Sequence, residues 1–299
     1  MILCVAANPS VDRLLSVDRL VPGSIHRPSE SAQVAGGKGL NVARAAHALG
    51  GRVTAAALLG GHAGRWVADQ LERDGVRLEA AWAAPETRSS LSVAGHPDGL
   101  TEFYERGAPV SAAEWEAFAG IVAGLAQAAD WVTYSGSLPS GAPADGYVRL
   151  IPLARAAFDS GEAGVEARPA VVKVNGEEAA RLTGRPVAGR DGAVSAARVL
   201  HEATGGAAIV TIGREGAVML TPEGRVSAGR VAATGRYPVG SGDAFLAGLV
   251  VALQGGAGWQ DAFRLALGAG AANAELPGAG RLDRARAEQL AAQAEVEGG

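Results

Sequence analysis

Short apolar runs alternate along this chain with longer segments of helical period, and the runs end on glycine, serine or asparagine: MILCVAAN, RVTAAALLGG, WVTYSGS, AVVKVNG and AAIVTIG. A strand that is apolar at every position is buried on both faces, so it needs cover above and below. Such strands in alternation with helices predict an α/β fold with a largely parallel sheet and helices on both sides. Residues 1–7 read as a buried strand, and 40–49 (LNVARAAHAL) as a helix stopped by Gly50-Gly51 before the strand RVTAAALLG. A helix over about 63–74 leads into an alternating segment at 76–82. Ser111 and Glu114 form a capping box that opens the helix AEWEAFAGIVAGLAQAA. The strand WVTYSG follows, then a helix over about 143–157, a loop at 158–169 and the strand AVVKVN. Helices over 176–183 and 191–203 precede AAIVTIG and short strands to about 230; two apolar helices (242–255 and 260–274) and a charged last helix complete the chain. No linker, repeat or low-complexity tract divides the 299 residues, so 1–299 reads as one domain.

Two segments break the rhythm. Residues 12–20 (DRLLSVDRL) and 88–105 (RSSLSVAGHPDGLTEFYE) alternate polar and apolar positions, and the second carries the turn Pro97-Asp98-Gly99. They predict β-ribbons added to the main sheet, with lid segments near 12–35 and 86–108, although ordinary surface hairpins would show the same pattern.

Several classes of function are excluded by what the chain lacks. No apolar stretch approaches the roughly 18 residues that cross a bilayer. The first run has no basic segment before it, so it reads as a strand and not a signal peptide, and the expected location is cytoplasmic. The single cysteine, Cys4, forms no internal disulfide and reads as a buried inert thiol. His26, His47, His62, His96 and His201 show no metal-ligand spacing. A net charge of −4 disfavours a general nucleic-acid surface, so any anionic ligand must be held by local groups. Lysine is nearly absent: of 27 basic residues only Lys38 and Lys173 are lysines, and both lie in glycine- or asparagine-containing motifs. A compact, mobile ammonium suits those two places where a rigid guanidinium fork does not.

The chemistry-bearing motifs sit at strand ends. There is no Walker loop, since Gly37-Lys38 is followed by Gly39, and no G-x-G-x-x-G follows the first strand. Gly240-Ser241-Gly242-Asp243 opens an apolar helix, where backbone N–H groups and the helix dipole favour an anion. Asp243 there is either an N-cap or a general base facing a hydroxyl, and the motif alone leaves both open. Ala35 to Asn41 (AGGKGLN) lets a ligand approach the backbone, with Lys38 and Asn41 as donors. Asn8 to Asp12 (NPSVD) follows the first strand, and Asp12 can accept from sugar hydroxyls or close an Asx-turn. Asn175 and Glu178, three apart, can hold a hydrated Mg²⁺ or cap their helix. Thr211, Gly213 and Gly216, and Ser135 to Pro139, end two further strands.

Taken in this order, NPSVD, AGGKGLN followed by VAR, SGSLPSG, VKVNGEE, TIGREG and GSGDAFLAG resemble the ribokinase-like carbohydrate kinases, the PfkB family, over essentially the whole chain. Thr87-Arg88, SGSLPSG and PVGSGD at 238–243 are similar to its phosphohexose branch, which includes 1-phosphofructokinase, tagatose-6-phosphate kinase and a 6-phosphofructokinase. The resemblance implies a three-layer sandwich with a largely parallel central sheet and a small β-ribbon lid. It implies ATP-dependent phosphorylation of a phosphorylated ketohexose, first fructose 1-phosphate, with tagatose 6-phosphate or fructose 6-phosphate as alternatives. Asp243 would be the base, with Gly240, Ser241 and Gly242 as the anion hole. Asp12, Gly37 and Asn41 would hold the sugar, and Arg88, Lys38 and Ser137 its existing phosphate. Lys173 would approach the ATP phosphates, Asn175 and Glu178 would organise Mg²⁺, and Thr211, Gly213, Gly216 and Asn273 would line the nucleotide site. The expected partners are sugar phosphate and ATP, with a homodimer through the lid and neither nucleic acid nor membrane.

The sequence departs from this family at two places. Relatives carry a further strand ending in an aspartate before the VKVN strand, and here only FDSGEAGVEARP stands in the gap. The expectation is a lost strand or a shortened helix, and with it a second reading: a catalytically weak sugar-phosphate-binding protein on the same fold. Val174 also stands where the family has proline, removing a rigid strand end.

Overall fold

In the computed structural model, which describes residues 1–95, 99–159, 165–232 and 235–298, β1 (Ile2–Ala6) is buried at every position. Its side chains alternate between two cores. Ile2, Cys4 and Ala6 join Leu40 and Leu246 on one side of the sheet, while Leu3 and Val5 join Trp115 and Phe118 on the other. That is why the run is apolar throughout instead of alternating. Phe118 is fully buried, and cutting such a side chain back to alanine costs about 3–5 kcal/mol.

Around β1 the chain builds a ten-stranded sheet in the order β14-β13-β12-β11-β10-β9-β8-β1-β4-β5. The strands β4 (Val53–Gly60), β5 (Arg77–Ala83), β8 (Trp131–Ser135), β9 (Ala156–Asp159), β10 (Val171–Asn175) and β11 (Ala207–Thr211) run parallel with β1. β12 (Ala217–Leu220), β13 (Val226–Arg230) and β14 (Glu295–Gly298) finish one edge in antiparallel fashion. The core shared with Ile2 and Cys4 takes side chains from α1 (Lys38–Ala48), α2 (Gly61–Arg73), α7 (Ser241–Gln254), α8 (Trp259–Asn273) and α9 (Arg284–Ala292). The opposite face is covered by α3 (Ala112–Ala126) and α4 (Gly146–Leu150), and towards β10 and β11 by α5 (Gly176–Thr183) and α6 (Gly189–Thr204). No helix among the described residues is long and apolar enough to cross a membrane.

The expected helix over 143–157 is corrected. Only Gly146–Leu150 is α-helical, a 3₁₀ turn Ile151–Leu153 containing Pro152 follows, and Ala156–Asp159 is a strand. That strand pairs with β8 on one side and β10 on the other, so it is central and buried on both faces. The family's strand ending in an aspartate is therefore present, and the aspartate is Asp159. Of the loop read at 158–169, residues 160–164 lie outside the described residues, as does Pro97-Asp98 of the turn read in the second ribbon.

The two ribbon segments do not extend the main sheet. β2 (Ser10–Val17), β3 (Glu30–Gly36), β6 (Arg88–Gly95) and β7 (Gly99–Tyr104) form a separate four-stranded sheet in the order β3-β2-β6-β7. β2 and β6 pair in parallel, Ser10 opposite Arg88 through Val17 opposite Gly95. β7 is exposed along its whole length and carries Leu100, Phe103 and Tyr104.

Candidate functional site

Five of the chemistry-bearing motifs stand at the carboxyl ends of parallel strands, where open α/β sheets bind ligands. Asn8 follows β1, Ser137 follows β8, Asp159 ends β9, Asn175 ends β10 and Thr211 ends β11. The glycine-rich starts of α1 and α7 face this edge.

Asp243 lies in the first turn of α7 and is 5% exposed. Gly240 caps that helix at φ 83°, a left-handed conformation that costs glycine nothing. A side chain there would also meet Ala279 Cβ at 2.6 Å, so the loop has room for backbone alone. Asn41 Nδ2 donates to Asp243 Oδ2 at 2.8 Å. Burial and the nearby Asp159 carboxylate push the Asp243 carboxyl up to about 7, against the opposing pull of Lys38, Lys173 and Asn41. Asn41 is itself 4% exposed, and its Oδ1 has no hydrogen-bond partner among the described residues. A buried acceptor of this kind beside a carboxylate of raised pKa suits a ligand hydroxyl.

Both lysines converge on one aspartate. Lys173 Nζ stands 3.2 Å from Asp159 Oδ1, and Lys38 Nζ stands 3.8 Å from the same oxygen and 3.0 Å from Glu178 Oε1. Asp159 is fully buried and Lys173 is 3% exposed. Burial works against the Lys38 charge, but Asp159, Glu178 and Asp243 outweigh it and hold its pKa above the usual lysine range. Lys173 Nζ also reaches the start of α7, 2.8 Å from where a Gly242 Cβ would lie. Three carboxylates and two ammonium groups thus meet between α1, β9, β10, α5 and α7.

Lys38 and Arg88, both read as candidates for the phosphate already on the substrate, stand apart in this arrangement. The carboxylates of Glu178 and Asp159 draw Lys38 to the Lys173 side of the cleft. Arg88 stands at a different corner: Nη2 donates to Asn8 O at 3.4 Å, and Nη1 to Ser90 Oγ at 3.2 Å and Glu105 O at 3.4 Å. Asn8 Nδ2 donates to Ser137 Oγ at 3.1 Å, so Asn8 links Arg88 to Ser137. A cleft lined by Asn8, Pro9, Thr87, Arg88, Gly107 and Pro139 opens there. Asp12, between this corner and α1, accepts from Ser10 Oγ at 2.5 Å and from the Gly37 amide at 3.3 Å.

Asn175 and Glu178 form a full capping box on α5. The Glu178 amide donates to Asn175 Oδ1 at 2.8 Å, and the Asn175 amide donates to Glu178 Oε2 at 2.9 Å. With Oε1 taken by Lys38, each of these oxygens already has a partner, and among the described residues no three of His, Cys, Asp and Glu converge as a metal cage. Each oxygen keeps lone pairs for water, so the pair fits an ion held through its hydration shell.

Thr211 lies level with Asn175 on the next strand, and Gly213 and Gly216 bracket the turn into β12. Asn273, read as a candidate near the nucleotide, lies beneath the Gly240 loop. It is fully buried, donating to Val239 O at 2.9 Å and to Ser241 Oγ at 3.4 Å and accepting from the Gly280 amide at 2.8 Å. Its amide therefore braces the Gly240 loop from behind. Asp159 is the residue that sequence reasoning missed. Its signal was a short apolar AAF run ended by a carboxylate, hidden inside a stretch read as helix and loop.

The sequence matches the pfkB family carbohydrate kinases over residues 3–285. It is 34% identical over 271 residues to a 1-phosphofructokinase from Haloferax volcanii, covering 89% of this chain and 88% of that one. The structure superposes on phosphofructokinase-2 from Escherichia coli, solved in complex with fructose-6-phosphate, with a TM-score of 0.86 at 25% identity, over 97% of this chain and 98% of that one. A possible 1-phosphofructokinase from Thermotoga maritima shares the fold with a TM-score of 0.88 at 22% identity, over 100% and 99% of the two chains.

Proposed function

The chain belongs to the pfkB family of carbohydrate kinases, ATP-dependent sugar kinases, and from that premise we propose that it is a 1-phosphofructokinase, converting fructose 1-phosphate to fructose 1,6-bisphosphate. The observation that carries this reading is the Haloferax volcanii 1-phosphofructokinase, 34% identical over most of both chains. Arg88 supports it, standing with Asn8 and Ser137 at a corner apart from the two lysines. That separation suits a substrate with one phosphate at each end of the site.

In the proposed reaction Asp12, the Gly37 backbone and Asn41 hold the sugar. Asp243 takes the proton of the acceptor hydroxyl as its oxygen bonds to the γ-phosphorus and the bridge to the β-phosphate breaks. Charge on the transferring group is met by the backbone N–H groups of Gly240 to Gly242 and by Lys173 and Lys38. Asp159 keeps both ammonium groups on that side. Mg²⁺, which neutralises phosphate charge when bound, would be held through water by Asn175 and Glu178. Thr211, Gly213 and Gly216 would line the nucleotide. The reading of a catalytically weak binding protein rested on a lost strand, and β9 is present. The exposed apolar side chains of β7 would join two lids in a homodimer, and the enzyme would work in the cytoplasm.

The test is ADP release with fructose 1-phosphate, tagatose 6-phosphate, fructose 6-phosphate, fructose and ribose. The expected order puts fructose 1-phosphate first by kcat/KM. A better rate with tagatose 6-phosphate or fructose 6-phosphate would move the assignment within the phosphohexose branch, and preference for a free sugar would remove it from that branch.

A further inference from the structure

Arg44, in the VAR that follows AGGKGLN, is 5% exposed and has no part in the reaction described above. Its guanidinium donates in three directions: Nε to Asp74 Oδ2 at 2.8 Å, Nη1 to Ala279 O at 2.8 Å and Nη2 to Ala35 O at 2.5 Å. Ala35 belongs to β3 at the root of the lid, beside Gly36 and Gly37. Ala279 belongs to the segment between α8 and α9, which is wedged against both halves of the site. At one end, a side chain on Gly278 would meet Val34 Cγ1 of β3 at 3.2 Å. At the other, Ala279 and the Gly280 amide lie 2.6 Å and 2.9 Å from where a Gly240 Cβ would stand. Asn273 then ties the Gly280 amide to Val239, immediately before the Gly240 loop.

We infer that Arg44 is a positioning residue that fixes the lid root, which holds the acceptor sugar, against the Gly240 loop, which holds the transferring phosphoryl group. This rests on the reaction proposed above. In-line transfer needs the acceptor oxygen about 3–3.5 Å from phosphorus. Here the two reactants are held by segments far apart in sequence, and the path between them runs from Ala35 through Arg44 and Ala279 to Gly240. A buried charge is retained at a cost in desolvation, and an apolar side chain of similar volume is often as stable. What an apolar side chain cannot do is bond two carbonyls and a carboxylate at once. A planar fork meets all three, and a lysine ammonium does not reach them in the same geometry.

The experiment measures Arg44→Met, Arg44→Lys and Asp74→Asn in the full chain, with whichever of the three hexose phosphates the wild type turns over fastest. Arg44→Met should lower kcat by about 10- to 100-fold through misplacement of the reactants. Dissociation constants for sugar phosphate and for a non-hydrolysable ATP analogue should stay within about threefold of wild type. With the acceptor misaligned, water competes for the phosphoryl group, so more than one ADP should form per sugar phosphorylated. Arg44→Lys should show the same split to a smaller degree. Asp74→Asn removes only the carboxylate at the end of α2, and should lower Tm while leaving kcat within about twofold. Should Arg44→Met not fold, Arg44→Lys and Asp74→Asn decide by the same criteria. Undiminished kcat in both Arg44 variants would overturn the inference, as would an equal kcat loss in Asp74→Asn at equal loss of Tm. Absence of wild-type turnover on all three acceptors would sink the proposed function and this inference together, whereas normal wild-type turnover with normal variants sinks only this one.

Discussion

Asn41 Nδ2 lies 2.8 Å from Asp243 Oδ2 and joins the start of α1 to the start of α7 across 202 residues of sequence. The contact brings a group expected to hold the sugar onto a group expected to take its proton. It donates to the charged carboxylate and so opposes the burial that favours the neutral acid.

The Asp243 carboxyl stands at about 7, and a base works only when deprotonated. The kcat/KM profile should therefore rise with pH and reach half its plateau near 7. Asp243→Asn should lower kcat by about 10²–10⁴-fold while binding of an ATP analogue persists. Retention of more than half the wild-type kcat would remove Asp243 as the base. Stability gives an independent check. The folded protein keeps this proton up to about 7, whereas an unfolded aspartate releases it near about 3.9, so this carboxyl lowers stability as pH rises between those values. The Tm of Asp243→Asn relative to wild type should accordingly be higher at pH 8 than at pH 4.5.

Asp159→Asn leaves Lys173 buried without the carboxylate 3.2 Å away. Removing one partner of a buried pair costs about 3–5 kcal/mol, to be read from denaturant unfolding. The same change takes away a negative charge that raises the Asp243 pKa, so the acid limb of kcat/KM should move to lower pH. A limb that stays in place would separate Asp159 from the electrostatics of the base.

Glu178→Gln tests the metal. Loss of that charge beside the phosphates should raise the Mg²⁺ concentration for half-maximal rate by about tenfold or more. An unchanged Mg²⁺ titration would leave Asn175 and Glu178 as a helix cap alone, the role their mutual hydrogen bonds already fill.

Arg88→Ala tests the substrate's own phosphate. A charge-assisted hydrogen bond contributes roughly 1.5–3 kcal/mol, so KM for fructose 1-phosphate should rise about tenfold or more with little change in KM for ATP. If both KM values rise together, Arg88 supports the lid through Asn8 and Glu105 and does not read the phosphate.

The α/β class and most of the strands were legible because an apolar run ended by a small polar residue has few other uses in a doubly covered sheet. β9 was not legible. Its four residues follow a short helix and a proline-containing turn without a glycine between them, and an apolar run of that length fits a buried helix equally well. Strand pairing in the lid was also out of reach, since alternation marks β2 and β6 as strands but does not say that they pair in parallel with each other. At the candidate site, the glycine-rich helix starts and the carboxylate inside one of them were legible as motifs. Side-chain direction was not: Lys38 turns to Glu178, and Asn273 turns inward to brace a loop, because nearby charges and unmet amides decide orientation and these come from remote segments.

The convergence of Lys38 and Lys173 on Asp159 has a consequence for handling the protein. Both side-chain amines of the 299-residue sequence lie beside Asp159 in the proposed reaction cleft, Lys173 almost wholly covered and Lys38 held as an ammonium by carboxylates. Away from these two positions the surface offers an acylating or cross-linking reagent no lysine. Amine coupling through side chains would then attack the cleft before it could anchor the protein, and protection of those two positions by nucleotide, read by mass, would report occupancy without any measurement of turnover.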